Sequence, residues 1–282
     1  MRLLHGRPLA ERLDARSRER SDALHARDIH PTLAAVSVGI DPSANTYLQR
    51  LVRGGKTLGI AVRDVSLSRE ASEQSVIAEL DRASRDRSLH GVLLLTPLPG
   101  KLDEGHLVDH IAPEKDVEGV NPYSVGLLLD GRPRFVPSTA EAIVELLKFH
   151  QIPLAGVEVV VVGRSTVVGR PAAALLLNED ATVTIAHKRT ADIGAVTRRG
   201  TAVIVAVGRA GFLTRDMIAP GATVVDAGIN MTPAGIAGDV DADSVASVAG
   251  ALSPVPGGVG TVTTALLLRN VITAAETQTE GG

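Results

Sequence analysis

Short apolar segments alternate with longer, polar and periodic segments along this chain of 282 residues. The clearest apolar segments are residues 32–38, 91–95, 157–162 and 203–207, and helical patterns separate them. Strands that are buried on both faces read as nearly continuous apolar runs, and a helix that connects two such strands makes them parallel. The sequence therefore predicts an α/β fold of parallel βαβ units, in two series with a boundary near residues 151–156.

Local signals set the expected ends of several elements. Residues 43–58 are predicted to form a helix that Gly59 ends in a left-handed conformation. The stretch from 112 to Tyr123 is expected to be irregular, and Tyr123 is interpreted either as lining a pocket or as packing in a core. The last helix is expected over residues 261–276, followed by a disordered tail from Thr277.

Composition excludes several classes of function. Charged residues make up 22% of the chain and the formal net charge is −3, so no global attraction to nucleic acid or membranes is expected. The chain has no cysteine, which excludes disulfides, thiol nucleophiles and cysteine-based metal sites. No apolar run is long enough to cross a bilayer, and the first residues lack a secretory apolar segment, so a cytoplasmic location is the expectation.

Residues 159–171 combine a strand, a glycine turn and a helix start, in the order Val-Val-Val-Val-Gly-Arg-Ser-Thr-Val-Val-Gly-Arg-Pro. Such a turn directs backbone N–H groups and the positive end of a helix dipole towards an anion, typically a pyrophosphate. Gly163, Arg164 and Ser165 are therefore candidate cofactor-binding residues. The spacing differs from G-x-G-x-x-G, so the turn alone is equally compatible with a tight connection that binds nothing.

Residues at the ends of other predicted strands extend this hypothesis. Lys188 follows the predicted strand 182–186, where an NAD site usually has an acidic residue for the ribose 2′-hydroxyl. A cation at Lys188, together with Arg164, favours the 2′-phosphate of NADP, and the alternative is solvated surface charge. Gly208 and Gly228 also follow apolar strands, where close approach of a ligand would require glycine.

Metal ligation is not expected. His106 and His110 are four residues apart, but the Glu of H-E-x-x-H and a third ligand are missing, so they are interpreted as a surface pair. Asp239, Asp241 and Asp243 lack the glycine and the distal glutamate of a calcium loop, and a helix-start role is expected for at least one of them.

Seven motifs occur in the order and spacing of one enzyme family. They are Val38-Gly39 with Asp41-Pro42 and Tyr47; Pro97-Leu98-Pro99; Lys115-Asp116-Val117-Glu118-Gly119; Gly163-Arg164-Ser165 with Val168-Gly169-Arg170-Pro171; Asp226-Ala227-Gly228-Ile229-Asn230; Gly238-Asp239-Val240; and Pro254-Val255-Pro256-Gly257-Gly258-Val259-Gly260. Through these motifs, nearly the whole chain resembles the methylenetetrahydrofolate dehydrogenase/cyclohydrolase family. That family oxidises 5,10-methylenetetrahydrofolate with NADP to the methenyl cation, and then hydrolyses the cation to 10-formyltetrahydrofolate.

The resemblance implies two α/β domains with a substrate cleft between them. Residues 1–139 with 260–282 correspond to the substrate domain, and residues 140–259 to a Rossmann-like NAD(P)-binding domain. The resemblance further implies NADP(H) as the cofactor, a small molecule as the substrate and a homodimer as the assembly.

The cofactor positions of the family carry over well onto this chain. Gly163, Arg164, Ser165 and Ile229 match the positions that contact NADP, and Lys188 stands where many relatives have serine near the 2′-phosphate. The resemblance therefore implies a complete cofactor site.

The substrate positions carry over less well. The family places Tyr, Lys, Gln and Asp around the folate and the reacting carbon. Tyr47 matches the first of these, but Leu51 occupies the Lys position, Leu95 the Gln position and Glu118 the Asp position. Three of the four polar positions are therefore altered.

Leucine carries no charge and transfers no proton, and neither Arg50 nor Lys56 has the i+4 spacing from Tyr47 that would replace the Lys. We therefore predict a diverged paralog without the catalytic Lys, with Tyr47 and Glu118 as catalytic candidates. Its predicted activity is NADP-dependent hydride transfer at an iminium or methylene carbon, without cyclohydrolase activity. A more apolar cyclic imine or iminium from specialised biosynthesis is the predicted substrate.

Two alternative functions stay open. The first is the ordinary bifunctional dehydrogenase/cyclohydrolase of one-carbon metabolism, in which the altered residues are tolerated. The second is a catalytically inactive NADP-binding subunit. Thermal stabilisation by NADPH would discriminate against the second alternative, because a ligand that binds the native state raises its stability and an inactive module need not bind the cofactor.

Overall fold

The computed structural model describes residues 1–39, 41–100, 102–233 and 235–280, with ten α-helices and eleven β-strands among them. The strands are β1 (Arg2–Leu3), β2 (Thr32–Val38), β3 (Ala61–Leu67), β4 (Gly91–Leu94), β5 (Glu158–Val162), β6 (Thr182–Ala186), β7 (Ala202–Val205), β8 (Thr223–Asp226), β9 (Asn230–Thr232), β10 (Gly235–Ala237) and β11 (Ala251–Leu252). The helices are α1 (Arg7–His25), α2 (Pro42–Leu58), α3 (Glu73–Arg85), α4 (Glu104–Val108), α5 (Pro122–Leu129), α6 (Ser138–Phe149), α7 (Gly169–Asn178), α8 (Ile193–Thr197), α9 (Ala242–Val245) and α10 (Val259–Glu280).

The chain divides into two compact units, and the three divisions fall within α1, just before α6 and within α10. The six-stranded unit comprises Met1–Glu11 with Pro137–Thr263, and the three-stranded unit comprises Arg12–Val136 with Thr264–Gly282. Both main sheets are parallel, so the predicted α/β class is confirmed. The assignment of residues 140–259 to the cofactor and of the remaining residues to the substrate stays a prediction.

The six-stranded sheet has the order β1-β11-β8-β7-β5-β6. The chain runs from β5 to β6 on one side of it and then crosses to β7 on the other side, so the strand order reverses at β5. Val161 accordingly pairs with Ile185 on β6 and with Ile204 on β7. In open parallel sheets, ligands bind at the carboxyl ends of the strands beside such a switch point. The connections that follow β5 and β7 therefore lie where a ligand of this sheet is expected to bind.

The three-stranded sheet has the order β3-β2-β4, and helix α2 packs on it through a pair of glycines. A Cβ on Gly54 would lie 2.8 Å from Leu268 Cδ1, and a Cβ on Gly55 would lie 2.9 Å from the Ile60 carbonyl oxygen. Glycine inside a helix costs about 1 kcal/mol relative to alanine. Glycine is required at both positions despite this cost, because α10 and the start of β3 approach the backbone of α2 too closely for a larger side chain.

Several predicted boundaries are confirmed, and others are wrong. The predicted strand 182–186 matches β6, and the apolar strand predicted before Gly228 is β8. Gly59 ends α2 with a φ of 74°, as predicted. The irregular stretch predicted through Tyr123 ends earlier than expected, at Asn121. The Asn121 side chain accepts the Tyr123 N–H and caps the start of α5. Tyr123 is 57% exposed, so core packing is the wrong interpretation for it.

The predicted disorder of the tail is wrong from Thr277 to residue 280, and Gly281 and Gly282 lie outside the described residues. Helix α10 continues because Gln278 Nε2 donates hydrogen bonds to the carbonyl oxygens of His90, at 2.8 Å, and Glu114, at 3.2 Å. Among the described helices, none combines the length and the apolar character that a membrane span requires.

His90 is a buried histidine of the three-stranded unit, and its Nδ1 accepts the Thr32 N–H at 3.2 Å. Burial lowers the pKa of His90, and the nearby charge of Lys115 lowers it further. In the unfolded chain an imidazole titrates near pH 6.5. Below about pH 6.5 the unfolded state therefore binds a proton that the folded state does not bind. The neutral, buried His90 contributes its full stability above about pH 6.5, and this stability is lost as the pH falls towards the pKa of the folded state.

We expect His90→Asn to reduce the loss of unfolding free energy between about pH 7 and about pH 5, measured by urea denaturation. The asparagine oxygen replaces Nδ1 as an acceptor but does not titrate. His30→Asn, at an exposed histidine, is the control and should keep the wild-type pH dependence. An unchanged pH dependence in His90→Asn would show that burial of this imidazole has no effect on acid stability.

Candidate functional site

The connection between β5 and α7, residues 163–169, is called the β5 turn here, and two glycines set its shape. Gly163 has a φ of 133°, and a Cβ on it would overlap with the carbonyl oxygen of Ala206 after β7. A Cβ on Gly169 would overlap with the carbonyl oxygen of Gly163. The turn therefore lies tightly against the strand beside the switch point, and only glycine fits at these two positions.

The β5 turn leaves backbone donors open. The Ser165 hydroxyl accepts the N–H groups of Val168, at 3.2 Å, and Gly169, at 3.3 Å, which starts α7. The N–H groups of residues 164–167 find no acceptor among the described residues. Open N–H groups at the start of a ten-residue helix favour an anion by hydrogen bonding and through the helix dipole.

Exposed cations lie at the same edge of the sheet. Arg164 lies in the β5 turn, and Lys188 and Arg189 follow β6, which pairs with β5. The side chains of these three residues make no ion pair or hydrogen bond with the described part of the chain. Two phosphate groups, one at the open amides and one at these cations, match this arrangement. The residues present therefore fit NADP, while the individual roles of Gly163, Arg164, Ser165 and Lys188 stay predictions.

The residues 207–209, called the β7 loop here, are tied to a buried carboxylate. Asp239 is 0% exposed, and its Oδ2 accepts the N–H groups of Val207, at 2.6 Å, and Gly208, at 2.8 Å. Its Oδ1 accepts the Arg209 N–H and the side-chain amide of Asn230, both at 2.8 Å. The β7 loop is thus already satisfied by an acceptor from within the protein.

A second buried carboxylate holds Asp239 in place. Asp226 Oδ1 accepts the N–H groups of Gly228 and Asp239, and its Oδ2 accepts the Val240 N–H, each at 2.9 Å. Burial raises the pKa of Asp226, and these three hydrogen bonds oppose the rise by stabilising the carboxylate. The end of β8 is therefore linked to the segment that carries Asp239.

Gly228 packs against one of these two carboxylates. A Cβ on Gly228 would overlap with the Asp239 carboxylate, so packing within the protein already requires glycine there. Gly208 has a φ of 66° and open space around its Cα. Ile229 is 61% exposed, so its side chain is free to contact a ligand. Cofactor contacts at Gly208, Gly228 and Ile229 stay predictions.

The predicted substrate residues meet in one apolar cluster of the three-stranded unit. Leu51 is 0% exposed and belongs to this cluster with Leu95, and Tyr47 packs against it while half-buried. Asp41 fixes the start of α2 by accepting the N–H groups of Ser43 and Ala44. Leu51 and Leu95 are therefore buried aliphatic side chains that contribute to a hydrophobic core.

Glu118 lies next to the cluster, in a turn that another buried carboxylate closes. Asp116 Oδ1 accepts the N–H groups of Gly119, at 3.0 Å, and Val120, at 3.1 Å. Its Oδ2 accepts the Asn121 N–H at 2.9 Å and the Ser124 hydroxyl at 2.6 Å. The backbone of Glu118 is therefore fixed, and its side chain is half-buried. Catalytic roles for Tyr47 and Glu118 stay predictions.

Arg50 and Lys56 do not restore the missing ammonium group. Both side chains are exposed, whereas the buried face of α2 carries Leu48, Leu51 and Leu58. The structure thus agrees with the spacing argument. A basic group on this buried face would have to come from a substitution.

Metal sites are absent from the described residues, which contain no suitable group of three His, Asp or Glu side chains. His106 Nδ1 lies 2.7 Å from Glu73, and His110 Nδ1 lies 3.2 Å from Asp81. Of the three aspartates compared with a calcium loop, Asp241 caps the start of α9. The predicted helix-start role is confirmed for that residue.

A parallel sheet with open amides beside its switch point, and cations at the next strand end, is the architecture of a dinucleotide-dependent oxidoreductase. Sequence comparison then assigns the family. The model of the tetrahydrofolate dehydrogenase/cyclohydrolase catalytic domain matches residues 4–118, and the model of that family's NAD(P)-binding domain matches residues 137–279. The chain belongs to the tetrahydrofolate dehydrogenase/cyclohydrolase family.

Individual relatives agree with this assignment. The bifunctional protein FolD of Nocardia farcinica is 48% identical over 274 residues, which cover 97% of each chain. The crystal structure of the bifunctional FolD enzyme of Campylobacter jejuni is 35% identical with a TM-score of 0.96, over 99% of each chain. The Trypanosoma brucei FolD structure, complexed with NADP cofactor and inhibitor, is 31% identical with a TM-score of 0.93, over 98% of each chain. The predicted NADP-dependent oxidoreductase class and NADP(H) cofactor are confirmed.

Sequence reasoning missed the three buried carboxylates as functional supports. The sequence singles out Asp116 and Asp226 only as members of motifs, and Asp239 only as a motif member and a candidate helix-start residue. A signal did exist, since an acidic residue directly beside an apolar segment must be hydrogen-bonded if it is buried. What the sequence did not indicate is which distant N–H groups each carboxylate accepts.

We expect Gly169→Ala to weaken NADPH binding at least about tenfold, because a methyl group there would force the β5 turn open. NADPH fluorescence titration measures this change. The control is Gly194→Ala in the same unit, where the added methyl group meets the end of the Arg198 side chain at 3.1 Å. Wild-type affinity in a folded Gly169→Ala protein would exclude the β5 turn as the anion site.

Proposed function

We propose that this protein oxidises 5,10-methylenetetrahydrofolate with NADP, and that hydrolysis of the methenyl product is its weak or missing step. The relatives described above support the folate substrate, because the N. farcinica and C. jejuni proteins are named as bifunctional FolD enzymes. The single observation behind the second half of the proposal is Leu51. It lies buried at the i+4 position from Tyr47, where the resemblance implies a catalytic Lys.

Oxidation places modest demands on the side chains. The methylene carbon lies between two nitrogens and gives up a hydride, and the positive charge that remains is shared by both nitrogens. When bound, the nicotinamide of NADP supplies the acceptor for that hydride. The protein must hold the donor carbon in line and exclude water, and no proton has to move. Tyr47, half-buried against the apolar cluster, is positioned to contribute a polar edge to such a pocket.

Hydrolysis makes different demands. Water adds to the methenyl carbon and loses one proton, which gives a hydroxyl adduct. The hydroxyl then loses its second proton as the carbonyl forms, and one carbon–nitrogen bond breaks. The departing nitrogen takes the bonding electron pair and gains a proton, so one proton is released overall. A side chain that moves protons typically accelerates such a step by about 10²–10⁴. Leu51 and Leu95 offer no such group. Glu118 retains a carboxylate, which is the remaining candidate for accepting the proton from water.

The second candidate function is reduction of a more apolar cyclic imine or iminium compound. It is favoured by the burial of Leu51 and Leu95 in one aliphatic cluster, because the polar edges of a pterin would lose partners there. Each unsatisfied buried group costs about 1–3 kcal/mol. The comparisons support the ordinary folate enzyme better than this repurposed enzyme, so the imine is the second choice. An inactive NADP-binding subunit is the third.

Two assays with the purified protein separate these candidates. The first follows NADPH formation from methylenetetrahydrofolate and, in the same sample, the disappearance of the methenyl compound. We expect NADPH to form while the methenyl compound accumulates. The second follows NADPH consumption with cyclic imines. Activity in the second assay alone would replace the folate by an imine, and NADPH binding without activity in either would indicate an inactive subunit.

The expected homodimer is part of the same proposal. It rests on the resemblance to the family, and light scattering coupled to size exclusion measures it directly. A monomer that is fully active would show that dimerisation is not needed for the reaction.

We expect the double substitution Leu51→Lys with Leu95→Gln to increase the rate of hydrolysis of the methenyl compound. The upper limit of the increase is about 10²–10⁴, the usual effect of a group that transfers protons. Because Leu51 is fully buried, the new ammonium group should also lower the free energy of unfolding. The decrease should be roughly several kcal/mol, as for other buried ions, and smaller if water enters the pocket. Hydrolysis and urea denaturation are therefore measured on the same samples.

The matched control for this substitution is Leu51→Met, which changes the shape of the side chain and adds no charge. It should leave hydrolysis at the wild-type level. If the double variant folds and hydrolyses no faster than Leu51→Met, the loss of these two groups does not explain a weak cyclohydrolase. If the wild-type protein already hydrolyses the methenyl compound as fast as it forms it, the proposal that hydrolysis is weak is wrong.

A further inference from the structure

The β7 loop has the geometry of an anion site that the protein fills itself. Val207, Gly208 and Arg209 direct three successive backbone N–H groups at the Asp239 carboxylate, at distances of 2.6–2.8 Å. Successive N–H groups of this kind form a concave site that binds anions. Charge-assisted hydrogen bonds of this length are roughly twice as strong as neutral ones. Asp239 is therefore bound by the loop as a phosphate or sulfate would be.

The β5 turn presents the opposite situation beside it. The N–H groups of residues 164–167 have no acceptor in the described part of the chain, although the turn touches the end of β7 through Gly163 and Ala206. Two sets of N–H groups thus lie next to the switch point, and a carboxylate occupies only one of them. An incoming anionic ligand finds the β5 turn open and the β7 loop filled.

We propose that Asp239 is a positioning residue that acts as the resident anion of the β7 loop and thereby restricts the phosphate groups of the cofactor to the β5 turn. This inference rests on the proposed use of NADP(H), and it adds a cause for where the phosphates bind. Asp239 holds the loop in one shape before the cofactor arrives. It also repels a second anion from the loop by its own charge.

A carboxylate is the group that this arrangement requires. Asp239 accepts four hydrogen bonds from described residues, three from the β7 loop and one from Asn230. An asparagine at this position has one oxygen, so its amide nitrogen would face a backbone N–H or the Asn230 amide as a second donor. Exchange of Asp239 for asparagine therefore makes a donor face a donor beside a part-buried loop, which removes at least one charge-assisted hydrogen bond.

The neighbouring residues are shaped around the same carboxylate. A Cβ on Gly228 would overlap with Asp239, and a Cβ on Gly238 would overlap with Asp226. Asp226 in turn accepts the Asp239 N–H at 2.9 Å, and the Ser253 hydroxyl accepts the Asp226 N–H at 2.8 Å. The position of the β7 loop is thus set by a chain of hydrogen bonds that runs from the end of β11 through the end of β8.

Chemical rescue tests the proposal. Asp239→Ala removes the carboxylate and leaves space of matching size, which formate can fill. We expect this variant to lose more than about 5 °C in melting temperature and to bind NADPH at least about tenfold more weakly than the wild type. Formate should restore both properties in a concentration-dependent manner, whereas sodium chloride at the same ionic strength should not.

Two further variants serve as controls. Asp239→Asn keeps the volume of the side chain, so formate cannot enter and should not rescue it. Asp243→Ala removes an exposed aspartate four residues away and should match the wild type in melting temperature and in NADPH affinity. Rescue of Asp239→Ala alone separates a specific anion site from a general effect of salt or of net charge.

Hydrogen exchange of the wild-type protein gives an independent test if Asp239→Ala does not fold. The amides of residues 207–209 should be protected without cofactor and gain nothing when NADPH is added. The amides of residues 164–167 should exchange fast without cofactor and become protected by NADPH. The reverse pattern, with protection of 207–209 only in the presence of NADPH, would overturn the proposal.

The possible failures are distinguishable. A wild-type protein that does not bind NADPH contradicts the proposed function, while protection of residues 207–209 and formate rescue of stability would still support the resident anion. A wild-type protein that binds NADPH, with a folded Asp239→Ala variant of equal affinity, contradicts the positioning role of Asp239 and leaves the proposed function intact.

Discussion

Buried aspartates that accept backbone N–H groups hold the functional loops of both units in place. Parallel strands that are buried on both faces leave only their ends for polar chemistry, and the loops there carry N–H groups that need acceptors. Asp116 provides them in the three-stranded unit and Asp239 in the six-stranded unit, and both are 0% exposed. Without Asp116, buried donors of one tight loop would be unpaired, and without Asp239, the part-buried donors of the other would have to turn to water.

This support is independent of the chemistry that the loops present. In the three-stranded unit, Asp116 still fixes the backbone of Glu118, although the nearby positions 51 and 95 are leucine. A family member can therefore keep the shape of its substrate side while its polar groups change. In the six-stranded unit, the glycines, the open amides and the exposed cations are all present. The three altered substrate positions, 51, 95 and 118, thus lie in the three-stranded unit, and the candidate cofactor residues lie in the six-stranded unit.

The sequence predicted those features that depend on local pattern. Apolar runs located β6 and β8, and the spacing of Tyr47 and Leu51 placed both on one face of α2, where Leu51 is indeed buried. It failed where the cause is distant in the chain. The partners of Asp239 lie about thirty residues earlier, at 207–209, and the helix beyond Thr277 is held through Gln278 by the carbonyl oxygen of His90. The short hairpin of β9 and β10 carries too few residues for any periodicity to show.

Leucine at position 51, where the resemblance implies Lys, has opposite effects on stability and on the proposed chemistry. Full burial of a leucine side chain contributes about 1.5–3 kcal/mol to the free energy of unfolding. An ammonium group in the same aliphatic surroundings would lower it by roughly several kcal/mol, as other buried ions do. Active sites are commonly destabilising for this reason. Once hydrolysis is not selected, stability alone therefore favours leucine at position 51. At position 95 the effect is smaller, because the family's glutamine would bury an uncharged amide in place of an ion. Apolar residues at both positions are then the expected outcome of relaxed selection on one step, and they do not by themselves require a new substrate. This physical argument agrees with the names of the relatives from N. farcinica and C. jejuni, which are bifunctional FolD proteins.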